Sequence, residues 1–234
     1  MIVVLEGIDG AGKTTVVEEL SGRLLPGGER IESWGRTDLD LFDDRRLRDR
    51  LSTLRDLVWA GEGEPDQPLG NVRHYLFLIA AWYESLERSR LRRPQNGSVA
   101  IVDGWYHRSV VKAVIRGGLS EPWVRSLFAN VLEPDLVILL DLPPEVAWDR
   151  RPSGKPSELG RWDGFEGPPR EAFCSYQSRV RSHLLRFATS SGWSVVRAAA
   201  DVSVGELADA VAGEIASRLL ARGPADVRRL ELRP

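Results

Sequence analysis

Short apolar runs alternate along the chain with longer stretches in which apolar residues recur at helical spacing. Residues 2–5, 99–102, 136–140 and 193–196, with a weaker run near Ile31, are β-branched or otherwise apolar. Runs of this length without polar alternation belong to strands buried on both faces. Between them, residues 14–25, 72–92, 108–115, 145–150, 171–188 and 204–220 have helical character. Strands separated by helices predict a central parallel sheet wrapped by right-handed crossovers, and so a three-layer α/β/α sandwich. Two stretches break the rhythm: residues 61–70, rich in Gly, Pro and acid, and residues 151–169, rich in Gly, Pro and charge. Both read as loops. The second follows a short helix and precedes a long one, a place that suits either a mobile lid over a site or a plain surface loop.

Composition narrows the picture. With 234 residues, 42% hydrophobic and 28% charged, the chain has the balance of an ordinary globular protein and is expected to form one domain, residues 1–234. A net charge of -2 supplies no electrostatic footprint for a nucleic acid polymer or an anionic membrane, so any anion recognition must be local. Three of the 32 basic residues are lysines, Lys13, Lys112 and Lys155, leaving 29 arginines; a lone arginine is therefore weak evidence of a phosphate site. The single Cys174 cannot form an internal disulfide, and the strand-like opening lacks the charged and apolar regions of a secretory leader, so a cytoplasmic location is expected. No apolar run has the roughly 18–20 residues that span a bilayer. His74, His107 and His183 have no metal-ligand spacing, and Cys174 has no histidine nearby in sequence to activate it.

The candidate chemistry begins at the first turn. Gly7-Ile8-Asp9-Gly10-Ala11-Gly12-Lys13-Thr14 fits G-x-x-x-x-G-K-[ST] between a strand and a helix, the context a P-loop requires. In such a loop successive backbone N–H groups face the phosphates, the helix N-terminus adds its positive end, Lys13 bridges the β and γ oxygens, and Thr14 offers a hydroxyl to magnesium. Gly7, Asp9, Gly10, Ala11, Gly12, Lys13, Thr14 and Thr15 are the expected ATP-binding residues. A second anchor is Asp103, which ends the apolar run Ala100-Ile101-Val102 and can join Thr14 in the magnesium shell or cap the following helix. Asp141, after Val137-Ile138-Leu139-Leu140, has the same form.

At this point the sequence resembles the thymidylate kinase family. The resemblance rests on Val4-Leu5-Glu6-Gly7-Ile8-Asp9-Gly10-Ala11-Gly12-Lys13-Thr14-Thr15. It continues through Trp34-Gly35-Arg36-Thr37, His74-Tyr75-Leu76-Phe77, Val102-Asp103-Gly104-Trp105, Glu133-Pro134-Asp135-Leu136, Leu142-Pro143-Pro144-Glu145 and Arg161-Trp162-Asp163. It implies an ATP side and an acceptor side, with Mg2+ as cofactor and a tendency to dimerise through helices. By position in the family, Asp9 contacts the acceptor sugar, Arg36 binds the acceptor phosphate, Phe77 stacks on the base and Asp103 lies near the metal. Because Gly10 stands where other members carry Arg, the catalytic arginine is expected from the lid, with Arg151, Lys155 and Arg161 as candidates; Trp162 joins the substrate-binding set. The adenine contact is expected around residues 198–202.

Two departures fall on the acceptor side. Gly104 stands where the family has Arg after the aspartate, and Ala81 where it has the Arg that reads thymine. Neither can replace a bidentate guanidinium, whereas the ATP side is intact. His107 and Arg108, one turn on, are placed either to compensate or to face solvent. Trp105 reads as a substrate wall or a core residue, and Phe77, within the apolar residues 75–83, as a base platform, a core residue or part of a dimer face. The expectation is ATP-dependent phosphoryl transfer to a small acceptor, most simply a nucleoside monophosphate at an altered site. One alternative is transfer to a hydroxyl of a nucleoside or antibiotic-like metabolite, with Glu6, Asp9 or Asp103 as base. The other is a nucleotide-binding switch or ATPase that transfers phosphate only to water.

Overall fold

The computed structural model describes residues 1–35, 37–39, 44–59, 72–88 and 98–230. Its centre is β1 (Ile2–Glu6), whose five residues are all buried. A strand buried on both faces needs neighbours on both edges and a helical layer above and below. β3 (Ser98–Asp103) and β4 (Leu136–Asp141) pair with it in parallel, so that Val4 lies level with Val102 on one side and Val137 on the other. β2 (Arg30–Trp34) extends the sheet beyond β3 and β5 (Ser194–Arg197) beyond β4, also in parallel. The strand order is β2-β3-β1-β4-β5. The expected three-layer α/β/α arrangement around a parallel sheet is therefore present. α1 (Lys13–Leu20) packs with α8 (Val204–Leu230), and α4 (His107–Gly117) packs with α3 (Val72–Arg88) and α7 (Pro169–Ser191).

In a parallel sheet all carboxyl ends share one rim. The loops after β1, β3 and β4 thus converge, and Asp103 stands level with Leu5 beside the phosphate loop. α6 (Pro144–Arg150) closes that loop from the β4 side. The expected helix over residues 14–25 stops at Leu20, because Gly22 turns left-handed at φ 83° and Leu24 reverses to bridge Arg30. Two helices are additional to the expected set: α2 (Arg45–Trp59), whose apolar Leu47, Leu51, Leu54 and Val58 recur at helical spacing within a strongly charged stretch, and α5 (Glu121–Ser126), whose six residues are too few to show a period. The expected loop at residues 61–70, and Arg36, lie outside the described residues. Among the described residues, no helix is long and apolar enough to cross a membrane.

The phosphate loop is squeezed against its neighbours. A Cβ on Gly7 would lie 2.9 Å from the Leu140 carbonyl oxygen, and one on Gly10 3.2 Å from the Ala147 Cβ. Since Leu140 belongs to a paired strand, its carbonyl cannot retreat cheaply. Gly7→Ala is expected to lower stability by about 1–3 kcal/mol through this overpacking, measured by denaturant unfolding; an unchanged midpoint would mean that the loop and β4 can separate.

Candidate active site

Gly12 opens α1 in the left-handed region at φ 86° and leaves Lys13 and Thr14 as the first helical residues. Lys13 is 7% exposed and folds back over the loop, donating to the carbonyl oxygens of Gly7 at 3.1 Å and Ile8 at 2.8 Å. Burial, then the nearby Arg108 guanidinium, pushes its ammonium down to about 8, against the pull of Asp9, Asp103 and Glu6. One residue on, the Thr14 hydroxyl donates to Asp103 Oδ2 at 2.5 Å. The competing Asp141 is held by Arg181 of α7 through two hydrogen bonds, 2.6 Å from Nε and 3.0 Å from Nη2. Asp103, not Asp141, thus faces the helix hydroxyl. The pair presents hydroxyl and carboxylate oxygens, the hard donors that Mg2+ takes.

Asp9 is the most heavily bonded group at the rim. It is 9% exposed. Arg108 Nη1 donates to its Oδ1 at 2.5 Å, while Lys112 Nζ at 3.3 Å and Gln177 Nε2 at 3.1 Å donate to Oδ2. The Asp9 N–H in turn donates to Gln177 Oε1 at 3.2 Å. Burial alone would raise this carboxyl, but Arg108, Lys112 and Lys13 outweigh it and hold it far below the usual carboxylate range. Arg108 and Lys112 lie four residues apart on α4, so one helical face delivers both cations.

Glu6 organises the turn from which α4 starts. Fully buried, it accepts the Trp105 N–H at 2.9 Å on Oε1, with His107 Nδ1 3.0 Å from the same oxygen, and its Oε2 has no partner. Trp105 itself, 3% exposed, packs edge-on to Tyr83 and donates its indole N–H to the Leu132 carbonyl. The structure therefore seats it in the core rather than with Asp9. Gly104 adopts φ 76°, a left-handed conformation that suits Gly and penalises other residues.

Residues 151–169 hold no strand and only a 3-10 turn at Arg161–Asp163 before α7 begins. Arg151 pairs with Glu158 at 2.7 Å, and Arg161 donates to the Phe165 and Gly167 carbonyls at 3.1 and 2.7 Å. Both guanidinium groups thus bond within the loop. The Trp162 indole N–H is buried without a partner. On α3, Phe77 is 55% exposed and meets Trp123 edge-on at 6.5 Å, with Ala81 on the same exposed face. Ahead of the 198–202 loop, Arg150 donates to the Ala199 carbonyl at 2.6 Å.

No protein-family model matches the chain. Curated relatives do. The thymidylate kinase of Chlamydia muridarum is 28% identical over 188 residues, covering 76% of this chain and 86% of that protein. A probable thymidylate kinase of Methanothermobacter thermautotrophicus is 29% identical over 204 residues, covering 87% and 89%. The thymidylate kinase of Arabidopsis thaliana is 26% identical over 198 residues, covering 84% of this chain and 64% of its own. The chain is similar to thymidylate kinases over most of its length. At 26–29% identity the likeness is a distant one.

Lys112 and Gln177 are site residues that sequence reasoning missed. For Lys112 there was a signal, since in a chain that uses arginine almost everywhere each of its three lysines stands out. Gln177 offered none, being one polar residue in a 23-residue helix.

The position of Lys13 makes nucleotide binding pH-dependent. A triphosphate favours the charged ammonium, which is lost as pH rises through about 8. The ATP Kd is therefore expected to be flat below pH 7 and to weaken about fivefold between pH 8 and 9, with proton uptake on binding. Calorimetric titration in two buffers of different ionisation enthalpy reads both; a Kd constant from pH 7 to 9 would place Lys13 outside the binding equilibrium.

Proposed function

We propose that the protein transfers the terminal phosphoryl group of ATP to a nucleoside monophosphate, at an acceptor site rebuilt around Arg108. The observation that carries this reading is the cluster of Arg108, Lys112 and Asp9 beside Lys13. Where the family has a guanidinium at position 104, this chain brings one in from the first turn of α4. Arg108, Lys112 and Lys13 stand here against Asp9, Glu6 and Asp103, so an anionic acceptor would be received by cations already in place, with Mg2+ adding positive charge when bound. An acceptor that is already a phosphate needs positioning and charge neutralisation but no general base.

The same geometry weakens two of the three candidate bases for a hydroxyl acceptor, leaving Asp103, which accepts from the Thr14 hydroxyl. A useful base has its conjugate acid near the working pH, and Asp9 is held far below that. Glu6 is fully buried under the turn it supports.

In this reading residues 1–234 act as one kinase unit whose lid is residues 151–169. Gly7, Gly10, Ala11, Gly12, Lys13, Thr14 and Thr15 hold ATP, with Arg150 and residues 198–202 at the adenine. Thr14 and Asp103 would hold Mg2+, which supplies charge neutralisation for the phosphates when bound. Arg151 or Arg161 exchanges its bonds within the lid for the transferring phosphoryl group. Phe77 offers an open ring face to the base, Arg36 serves the acceptor phosphate, and the partnerless Trp162 N–H is a donor for the acceptor. A cytoplasmic location and a helix-mediated homodimer complete the picture, the latter open to sedimentation analysis.

ADP release measured across nucleoside monophosphates, nucleosides and hydroxyl-bearing metabolites tests the proposal. Turnover is expected with a nucleoside monophosphate and abolished by Lys13→Ala; turnover with hydroxyl acceptors alone would overturn it, and acceptor-independent hydrolysis would favour an ATPase. Arg108→Ala is expected to raise KM for the monophosphate about tenfold or more, the loss of a charge-assisted contact of about 1.5–3 kcal/mol, with KM for ATP little changed. An unaltered monophosphate KM would remove Arg108 from the acceptor site. Gly104→Arg is expected to cost about 1–2 kcal/mol of stability, read by thermal unfolding, because φ 76° is left-handed.

A further inference from the structure

Asp9 Oδ2 receives two donors from two different helices, and each donor carries a second bond. Lys112 Nζ, from α4, also reaches the Ser157 carbonyl at 3.4 Å. Gln177 Nε2, from α7, also donates to the Glu158 carbonyl at 2.8 Å. Two consecutive main-chain carbonyls of the 151–169 segment are thus tied, through two side chains, to one carboxylate oxygen of the phosphate loop. The surrounding contacts agree: the Lys112 ammonium lies 5.8 Å from the Tyr176 ring centre, and Phe165 packs edge-on to that ring at 5.0 Å. A Cβ on Gly160 would be 2.5 Å from it. Leu159 enters the core.

We infer that Lys112 and Gln177 are positioning residues that set the height of the lid above the phosphate loop by bridging Asp9 to the Ser157 and Glu158 carbonyls. Neither needs to touch a reacting atom. They act on the arginines of the same segment, Arg161 above all, whose usefulness depends on where the segment is held. Because both bridges end on one oxygen, the lid cannot lift at residues 157–158 without either breaking the bonds to the Ser157 and Glu158 carbonyls or drawing Lys112 and Gln177 off Asp9 Oδ2, which would leave Arg108 alone on that carboxylate.

The inference rests on the kinase reading for its kinetic arm only. Amide hydrogen exchange tests the tether directly, through the lid amides of Arg161, Asp163 and Phe165, which donate to the Pro156 and Gly160 carbonyls. In Lys112→Met, exchange across residues 157–165 is expected to accelerate about fivefold or more while residues 204–215 of α8 stay unchanged. The kcat should fall roughly tenfold with KM for ATP within about twofold, and Lys112→Arg, which keeps the bridge, should restore both. Gln177→Leu is the second variant and should loosen the same amides. Lid exchange within about twofold of wild type in both variants would overturn the inference, as would acceleration equal in the lid and α8. Exchange reads the tether whatever the acceptor is, so a failure to phosphorylate any monophosphate would count against the preceding proposal alone.

Discussion

Keeping a carboxylate ionised where water is nearly absent is costly unless opposite charge and hydrogen bonds surround it, and the active rim is arranged around meeting that demand at Asp9. The residue sits inside the phosphate loop, so whatever satisfies it is fixed relative to the cradle. α4 answers with Arg108 and Lys112, α7 with Gln177, and two of these three partners carry the 157–158 main chain with them. Removing any of these partners would leave the others confronting an under-compensated buried charge, which is why such clusters transmit changes across elements that otherwise only pack.

Glu6, the last residue of β1, has an analogous role. Its buried carboxylate grips the Trp105 N–H and lies against His107, fixing the turn between Asp103 and α4. Position on the rim is therefore set by two acidic residues of the same strand-loop segment. Glu6 decides where α4 begins, and Asp9 gathers the cations that α4 then presents.

How much of this was legible in the sequence depended on how local each signal is. The phosphate loop and the strands were readable because a motif between two flanks, and apolar runs buried on both faces, carry their meaning within about ten residues. The local pattern does not separate Asp103 from Asp141, since both end apolar strands; the family resemblance favoured Asp103, and what distinguishes Asp141 in the fold is the bidentate grip of Arg181, far along the chain. Trp105 was ambiguous for a similar reason: its indole partner is the Leu132 carbonyl, well outside any window. Spacing alone makes Arg108 a candidate, but its role beside Asp9 requires the loop after β1 and the helix after β3 to be neighbours. That adjacency is a property of strand order, which no short pattern encodes.

If Arg108 receives the acceptor, as proposed, a helix-borne arginine in place of a strand-end one changes more than the address of a charge. At position 104 the backbone is left-handed, so a long side chain there would be strained, and the room beside β3 is shaped by a glycine. Arg108 approaches from the first turn of α4 with its guanidinium already bonded to Asp9. An acceptor phosphate drawn to that face would meet a cation paired on one side and free to share charge on the other, and a second cation, Lys112, within reach of the same carboxylate. On the proposed reading, then, the acceptor stays anionic and is held from the side of α4 rather than from the end of β3.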